Sequence, residues 1–208
     1  MSFRVFVEGG GSGSDSRGRK SRRSERNSTF REAFSKFVGK AGLAGRMPRF
    51  IRCGSREMAF RDFKRAVGEG EDAILLVDAE EPVRSRGPWQ HLKASDNWNR
   101  PRGATNDQCH LMVQVMESWF LADPEALELY YGQEFLRAAL PKNPKVEEVS
   151  KQEVERGLKR ATHSTSKGEY SKGKASFEIL AELDPAKVRE KSPFAERFLS
   201  TLEKLCQP

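Results

Sequence analysis

The sequence predicts an α/β protein in which a mostly parallel sheet is flanked by helices. Within residues 1–80, short segments rich in Val, Ile and Phe alternate with helical patterns, an order typical of right-handed βαβ units. The chain has 208 residues, of which 37% are hydrophobic, enough for one good-sized core. We expect an α/β core over residues 1–130 and a mostly helical C-terminal extension, packed on that core, over residues 131–208.

The first expected strand is Phe3–Val7, and a stretch rich in glycine, serine and arginine follows it. Gly and Ser give flexible backbone and the arginines repel one another, so residues of about 9–28 are expected to form a flexible basic insert. A helix is expected over about Thr29–Ala41, with Phe and Val on one face and glycines at its end. A second strand follows at Arg49–Cys53.

The middle of the chain contains two further expected strands. A serine-capped helix over about Arg56–Val67 leads into Ala73–Val77, which is apolar throughout, as in strands that are buried on both faces. Pro82–Gly103 is interpreted as a long loop because of its prolines and polar residues, and loops of this length are often functional. The fourth strand is expected at His110–Met116.

The remainder of the chain is expected to be helical. An Asp-Pro pair signals the start of the first of these helices, since Asp is a good cap and Pro suits the first helical position. The expected helices cover about Pro124–Tyr131, Lys151–Arg160, Phe177–Leu183 and Pro193–Leu205. A polar, lysine-rich loop at Thr165–Lys174 separates the second from the third.

Two of the expected strands end in acidic residues. Glu8 follows the first strand, and Asp78 and Glu80 follow the third. Ligands of open α/β sheets bind at the carboxyl ends of the strands, and clustered carboxylate oxygens suit hard cations such as Mg²⁺ or Mn²⁺. Acids at strand ends are also common as ordinary caps and turn residues. Their presence on two strands favours a divalent-cation site held by these three residues.

Glu117 would follow the fourth strand and is the next candidate for a functional residue. It stands among apolar residues such as Met116 and Trp119, where a charge is costly unless it is paired or bound to a metal. The alternative is a half-exposed position on a helix. Asp123 is better explained as a helix cap than as a ligand.

The net charge of +7 favours a polyanionic partner, namely DNA or RNA, although many basic proteins bind no particular partner. Lys172 is the candidate for contacting a scissile phosphate, because Lys acts as a point charge toward phosphate. The other candidate contacts are the basic residues of the insert and of the lysine-rich loop: Arg17, Arg19, Lys20, Arg22, Arg23, Lys167 and Lys174. Both segments are otherwise explained as solvated surface. The glycine run misses the P-loop spacing by one residue, so nucleotide binding there is not favoured.

The cysteine pattern and the lack of long apolar runs indicate the compartment. Three widely spaced cysteines form no CxxC pair, which is typical of a reducing environment. No apolar stretch approaches the roughly 20 residues of a membrane span, and no signal-peptide core is present. We expect a cytoplasmic protein without membrane contact.

Glu8-Gly9 after a first strand and Asp78-Ala79-Glu80 after a third resemble the Toprim fold of topoisomerases, DnaG-type primases and OLD-family nucleases. That family has Asp-x-Asp where this chain has Asp-x-Glu, a chemically mild departure. More closely, the chain is similar to a Toprim-like family of bacterial proteins classed as a domain of unknown function. This similarity rests on five segments: Val7–Gly10, Cys53–Arg56, Leu76–Glu80, Met112–Asp123 and Tyr170–Gly173. Members are often encoded beside an SMC/ABC-type ATPase in abortive-infection and other anti-phage systems.

The resemblance implies a Mg²⁺-dependent nuclease, or nuclease-like effector, that acts in antiviral defence with such an ATPase. The complex with this ATPase would set the oligomeric state of the protein. Glu8, Asp78 and Glu80 would hold one or two Mg²⁺ or Mn²⁺ ions. Glu117 would be a further ligand or a proton-transfer group, and Lys172 would contact the phosphate charge of the transition state. The alternative is a non-catalytic nucleic-acid-binding or sensor subunit that docks on the ATPase.

Overall fold

The computed structural model of the protein describes residues 3–9, 19–43 and 47–206. A four-stranded parallel sheet lies at its centre, in the order β2-β1-β3-β4. The strands are β1 (Arg4–Val7), β2 (Arg49–Arg52), β3 (Ala73–Asp78) and β4 (Cys109–Met112). Helices flank this sheet, so the predicted α/β class is confirmed.

Eight α-helices occur within the described residues. They are α1 (Arg19–Val38), α2 (Arg56–Gly68), α3 (Pro88–Asp96), α4 (Pro124–Tyr131), α5 (Lys151–Thr162), α6 (Lys174–Glu182), α7 (Pro185–Lys191) and α8 (Pro193–Cys206). A π-helical turn follows α1 at Gly39–Leu43, and short 3₁₀ segments lie at Asn106–Gln108, Met116–Ala122, Arg137–Ala139 and Val146–Glu148. None of the helices in this part of the chain is long and apolar enough to cross a membrane.

The sheet is covered on both faces, which explains the apolar sequence of β3. Ile74 and Leu76 point into a core shared with α1 and the C-terminal helices, whereas Leu75 and Val77 point into a second core with α2 and α3. All six residues of β3 are buried. A strand covered on both sides needs apolar residues at every position, as the sequence predicted.

Aromatic contacts join α1 to the C-terminal half of the chain. The rings of Phe30 and Phe177 on α6 meet edge to face with centroids 5.2 Å apart. Phe37 stacks on Trp119 of the 3₁₀ segment at 5.5 Å. Such pairs add about 0.5–1.5 kcal/mol beyond the burial of their area. The helices after residue 131 therefore share one core with α1 and the sheet.

The basic insert differs from its prediction. Residues 19–28 were expected to be flexible, but α1 begins at Arg19. The buried Phe30 and Phe34 hold the second half of this helix against the core. Because Arg, Lys and Glu are good helix formers, the charged residues before Phe30 continue the same helix toward its N-terminus. Residues 10–18 of the predicted insert lie outside the described residues.

Two further elements also differ from expectation. The predicted loop Pro82–Gly103 contains α3, which has Pro88 at its first position and buries Trp89 and Leu92. β4 ends at Met112 instead of Met116, and the peptide bond between Val113 and Gln114 is cis. The chain then leaves the sheet and enters the 3₁₀ segment.

Candidate metal centre

The structure brings Glu8, Asp78 and Glu80 together at the carboxyl edge of the sheet. One carboxylate oxygen of each lies within 4.8 Å of the others. β1 and β3 are adjacent parallel strands with Val7 opposite Leu76, so the residues that follow them reach the same edge. The convergence expected from the sequence is therefore present, while ion binding by these residues stays a prediction.

Asp78 is the most buried of the three acids, with 8% of its surface exposed. Its Oδ1 accepts a hydrogen bond of 2.9 Å from the backbone N–H of Met116, at the start of the 3₁₀ segment. Burial raises the pKa of Asp78 well above its usual range, and the nearby charges of Glu8 and Glu117 raise it further. A cation beside this carboxylate would relieve both effects.

Glu8 is linked directly to the end of β3. Its Oε2 accepts the backbone N–H of Asp78 at 3.3 Å. Burial raises the pKa of Glu8, although the positive charge of Arg56 acts in the opposite direction. The next residue, Gly9, lies so close to Arg52 that an added Cβ would stand 2.3 Å from its Cγ. A larger residue there would force the Arg52 side chain, whose Nε donates to the Gly9 carbonyl, to move.

Arg56 braces the same strand end from α2. Its Nη1 donates to the backbone carbonyl of Asp78, while Nε and Nη2 bind Asp96 of α3 at 3.1 and 2.6 Å. The guanidinium also lies 5.3 Å from the ring centroid of Trp98. Because this side chain is itself buried, it ties the end of β3 to two helices. Such support fixes the direction of the carboxylates.

Glu80 sits in a left-handed turn, with φ of 67°. Its backbone N–H donates to the carbonyl of Gln114 at 2.8 Å, and its carboxylate pairs with the ammonium group of Lys151 at the start of α5. His91 contacts the same turn, with Nε2 2.9 Å from the carbonyl oxygen of Ala79. This turn directs Glu80 back toward Asp78 instead of along the strand.

Glu117 is buried, which excludes the half-exposed helical position considered above. Only 4% of its surface is exposed. Oε1 accepts from the Tyr170 hydroxyl at 2.8 Å and from Ser176 Oγ at 3.3 Å, and Oε2 lies 3.0 Å from Lys172 Nζ. Burial, followed by the Glu117 charge, raises the pKa of Tyr170. Glu117 therefore anchors Lys172 beside the acidic cluster.

The acids and lysines line one cavity of about 730 Å³. Glu25 and Thr29 of α1 and Phe177 of α6 complete part of its wall. The ammonium groups of Lys151 and Lys172 share the cavity with the three carboxylates, so negative and positive groups converge on one space. Such a space suits an anionic substrate together with a cation.

Lys167 and Lys174 lie farther along, in a cavity of about 480 Å³ between α1 and α6. The Lys167 ammonium lies 4.6 Å from the ring centroid of Tyr130, and Lys174 pairs with Glu178 at 3.3 Å. Lys174 also lines the larger cavity. Several acids, Glu25, Glu32, Glu178 and Glu182, line the smaller cavity, so its charge is mixed and not strongly basic.

The other candidate nucleic-acid contacts belong to the basic insert. Arg17 lies outside the described residues. Arg19, Lys20, Arg22 and Arg23 form the first turns of α1, and their side chains are likewise outside the described part.

A family model described as a domain of unknown function (DUF4276) matches residues 20–203. The chain belongs to this family. The region of this DUF4276 protein that the model matches contains five residues of the site, namely Asp78, Glu80, Glu117, Lys151 and Lys172. Strand β1 and Glu8 precede the matched region. Searches of the curated proteins and of the solved structures each found no match.

Sequence reasoning missed several residues of this site. Arg56 and Tyr170 stood within segments that carried the family resemblance, but nothing in the sequence indicated their partners. Lys151 had no signal beyond its position at the start of an expected helix. Gln114 was read as a strand residue, and its contacts with Glu80 and α5 arise from tertiary packing.

Proposed function

We propose that the protein is a divalent-cation-dependent nuclease that hydrolyses phosphodiester bonds of DNA or RNA. The observation that carries the proposal is the convergence of Glu8, Asp78 and Glu80 within 4.8 Å in a cavity that three lysines also line. The Toprim resemblance supports it, because the acids follow β1 and β3 as that family pattern requires. The Toprim assignment, an antiviral role in the cytoplasm and an SMC/ABC-type ATPase partner are proposed from the resemblance.

The donor set fits a hard cation such as Mg²⁺ or Mn²⁺. All three groups are carboxylates, and burial raises the pKa of both Glu8 and Asp78. Charged carboxylates held this close repel one another, so the site gains from a cation between them. A divalent ion held there would activate the attacking water and stabilise the charge of the leaving oxygen.

The protein's own cations would act on the phosphate. Lys172 lines the cavity and is held at 3.0 Å from Glu117, which Tyr170 and Ser176 also hold in place. Lys172 would neutralise developing negative charge on phosphate oxygens. Glu117 would position Lys172 and not act as a further ligand, because it does not belong to the group of three clustered carboxylates found among the described residues.

Helix α1 supports nucleic acid as the substrate class. Glu25 and Thr29 line the cavity, and the turns that precede them on the same helix carry Arg19, Lys20, Arg22 and Arg23. Arg17 extends this basic sequence, and Lys174 borders the cavity from α6. Lys167 lies in the mixed-charge cavity and would make only a distant contact. Attraction to a phosphate backbone by such residues would be sequence-independent and sensitive to salt.

A second candidate is a non-catalytic nucleic-acid-binding or sensor subunit that docks on an ATPase. One observation favours it: Lys151 and Lys172 pair with Glu80 and Glu117, so the protein's own lysines partly neutralise the acids. Binding of Mn²⁺ distinguishes the two candidates, since only the nuclease requires it.

The test is a cleavage assay on tRNA and plasmid DNA in Mg²⁺ or Mn²⁺, with and without the proposed SMC/ABC-type ATPase partner. The wild-type protein should cleave one substrate, while Glu8→Gln and Asp78→Asn should lose at least about 100-fold of the rate, since each removes a charge that the cation requires. Asp107→Asn is a matched control, because Asp107 is 83% exposed and pairs only with Arg197 in the described structure. Equal cleavage by wild type and both site variants would refute the assignment.

A further inference from the structure

Two ammonium groups reach the candidate metal centre from separate elements. Lys151 comes from α5, and Lys172 from the loop that precedes α6. Both line the cavity of about 730 Å³. Their side chains are 34% and 46% exposed, so both are in contact with the space a substrate would enter.

Their partners differ in a way that separates their roles. Lys172 pairs with Glu117, which belongs to no cation cluster in the described structure and has Tyr170 as a further partner. Lys151 pairs with Glu80, which is itself one of the three clustered carboxylates. A cation bound by Glu80 would therefore compete directly with Lys151 and leave the Lys172 pair intact.

Gln114 holds Lys151 and Glu80 in fixed relation. Its backbone carbonyl accepts the N–H of Glu80 at 2.8 Å, and its side-chain Oε1 accepts the backbone N–H of Lys151 at 3.3 Å. Gln114 is buried, and Ser150 caps α5 through a reciprocal pair with Glu153. Because both backbones are held, only the lysine side chain needs to move when Glu80 changes partner.

We propose that Lys151 is a substrate-binding residue. Its ammonium group pairs with Glu80 until a divalent cation binds, and it then pairs with a phosphate oxygen of the nucleic acid instead. This inference rests on the proposed function. A carboxylate that ligates a cation attracts an ammonium group less strongly, and a lysine binds phosphate as a point charge. Lys151 and Lys172 would then hold the phosphodiester from two sides of the acidic cluster.

The competing explanation is that Lys151 only stabilises the turn that presents Glu80. The two explanations predict opposite signs for metal binding. If Lys151 competes with the cation, its removal strengthens Mn²⁺ binding. If Lys151 serves only to hold Glu80 in place, its removal weakens Mn²⁺ binding.

The test compares Lys151→Met and Lys151→Arg with wild type. Lys145→Met is the matched control, since Lys145 is also a lysine paired with a glutamate, Glu148, but is 72% exposed and does not line the cavity. Calorimetry measures Mn²⁺ affinity. Fluorescence anisotropy measures binding of labelled single-stranded RNA and DNA oligonucleotides in Ca²⁺ over a series of salt concentrations. Thermal unfolding confirms that each variant is folded.

We expect Lys151→Met to bind Mn²⁺ about threefold to tenfold more tightly, because a competing positive charge is gone. The same variant should bind the oligonucleotide about tenfold more weakly, and the slope of log affinity against log salt should fall by about 0.7, the value for one phosphate contact on a single strand. Lys151→Arg should keep most of the oligonucleotide affinity, and Lys145→Met should behave as wild type.

Weaker Mn²⁺ binding or unchanged oligonucleotide affinity in a folded Lys151→Met protein would overturn the inference. If the wild type still binds Mn²⁺ and cleaves, the proposed function survives that result. A wild-type protein that neither binds Mn²⁺ nor cleaves would overturn the proposed function and this inference together.

Discussion

Replacing Asp78 by Asn should stabilise the metal-free protein while removing its response to metal. The substitution preserves shape, and the Asn side-chain oxygen can still accept the backbone N–H of Met116, as Asp78 does at 2.9 Å. It removes one of three like charges that lie within 4.8 Å of one another. Clustered like charges cost stability, so a site shaped to hold a cation lowers the stability of the metal-free fold.

The magnitude follows from the separation of the charges. Two unit charges 4.8 Å apart repel by about 3.5 kcal/mol at an effective dielectric constant of about 20. Arg56 and Lys172 offset part of this repulsion, so a net gain of about 1–2 kcal/mol is expected for Asp78→Asn. For a chain of this size, this corresponds to an increase of about 2–8 °C in Tm.

The assay is thermal unfolding at pH 7.5, in EDTA and in a titration of Mn²⁺. The wild type should gain about 2.7 kcal/mol at a Mn²⁺ concentration 100-fold above Kd, whereas Asp78→Asn should gain much less. Asp107→Asn is the control and should follow the wild type in both conditions. A lower Tm of Asp78→Asn in EDTA, or an undiminished Mn²⁺ shift, would refute the reasoning about like charges.

Two further outcomes follow from the same structure. The folded-state pKa of Asp78 is raised, so between the unfolded value of about 4 and the raised value the folded state holds more protons. The stability of the metal-free protein should therefore fall as pH rises above about 4. Urea unfolding at several pH values measures this change, and a stability that rises over the same pH range would contradict the proposed cause of the raised Asp78 pKa. Gly9→Ala should cost about 1–3 kcal/mol, because the added Cβ would stand 2.3 Å from Arg52 Cγ. Gly68→Ala, which meets open space, should lower the urea midpoint little or not at all, and equal effects of the two substitutions would show that crowding at Gly9 is absent.

The sheet and the acids at its edge were predictable from local pattern. β3 combines a fully apolar run with Asp78 at its end, and both features follow from burial on two faces and from the position of the strand end. Asp123-Pro124 correctly marked the start of α4. The Asp123 side chain, however, accepts from the backbone N–H of Asp184 and from Lys187 instead of capping α4.

The elements that were missed lacked a periodic apolar pattern. α7 is short and buries only Pro185 and Val188, although Asp184-Pro185 repeats the start signal of α4. α3 was hidden by the prolines around it, even though Pro88 suits a first helical turn. In both cases the signal was confined to the first turn.

The supporting residues of the site depend on tertiary packing and could not be found from the sequence. Lys151 reaches Glu80 only because Gln114 joins the start of α5 to the turn after β3. Arg56 reaches Asp96 only because α3 exists within the segment read as a loop. Local patterns thus indicated the three carboxylates and Lys172, whereas only three-dimensional packing revealed the roles of Lys151 and Arg56 beside them.

The most direct measurement of the central claim is an anomalous difference map from crystals of the protein soaked in Mn²⁺. If Glu8, Asp78 and Glu80 hold a divalent cation, the map will show a peak among their three carboxylates, and the peak will be absent from Glu8→Gln crystals grown under the same conditions. A map without density at this edge of the sheet at saturating Mn²⁺, or an unchanged peak in Glu8→Gln, would contradict the account.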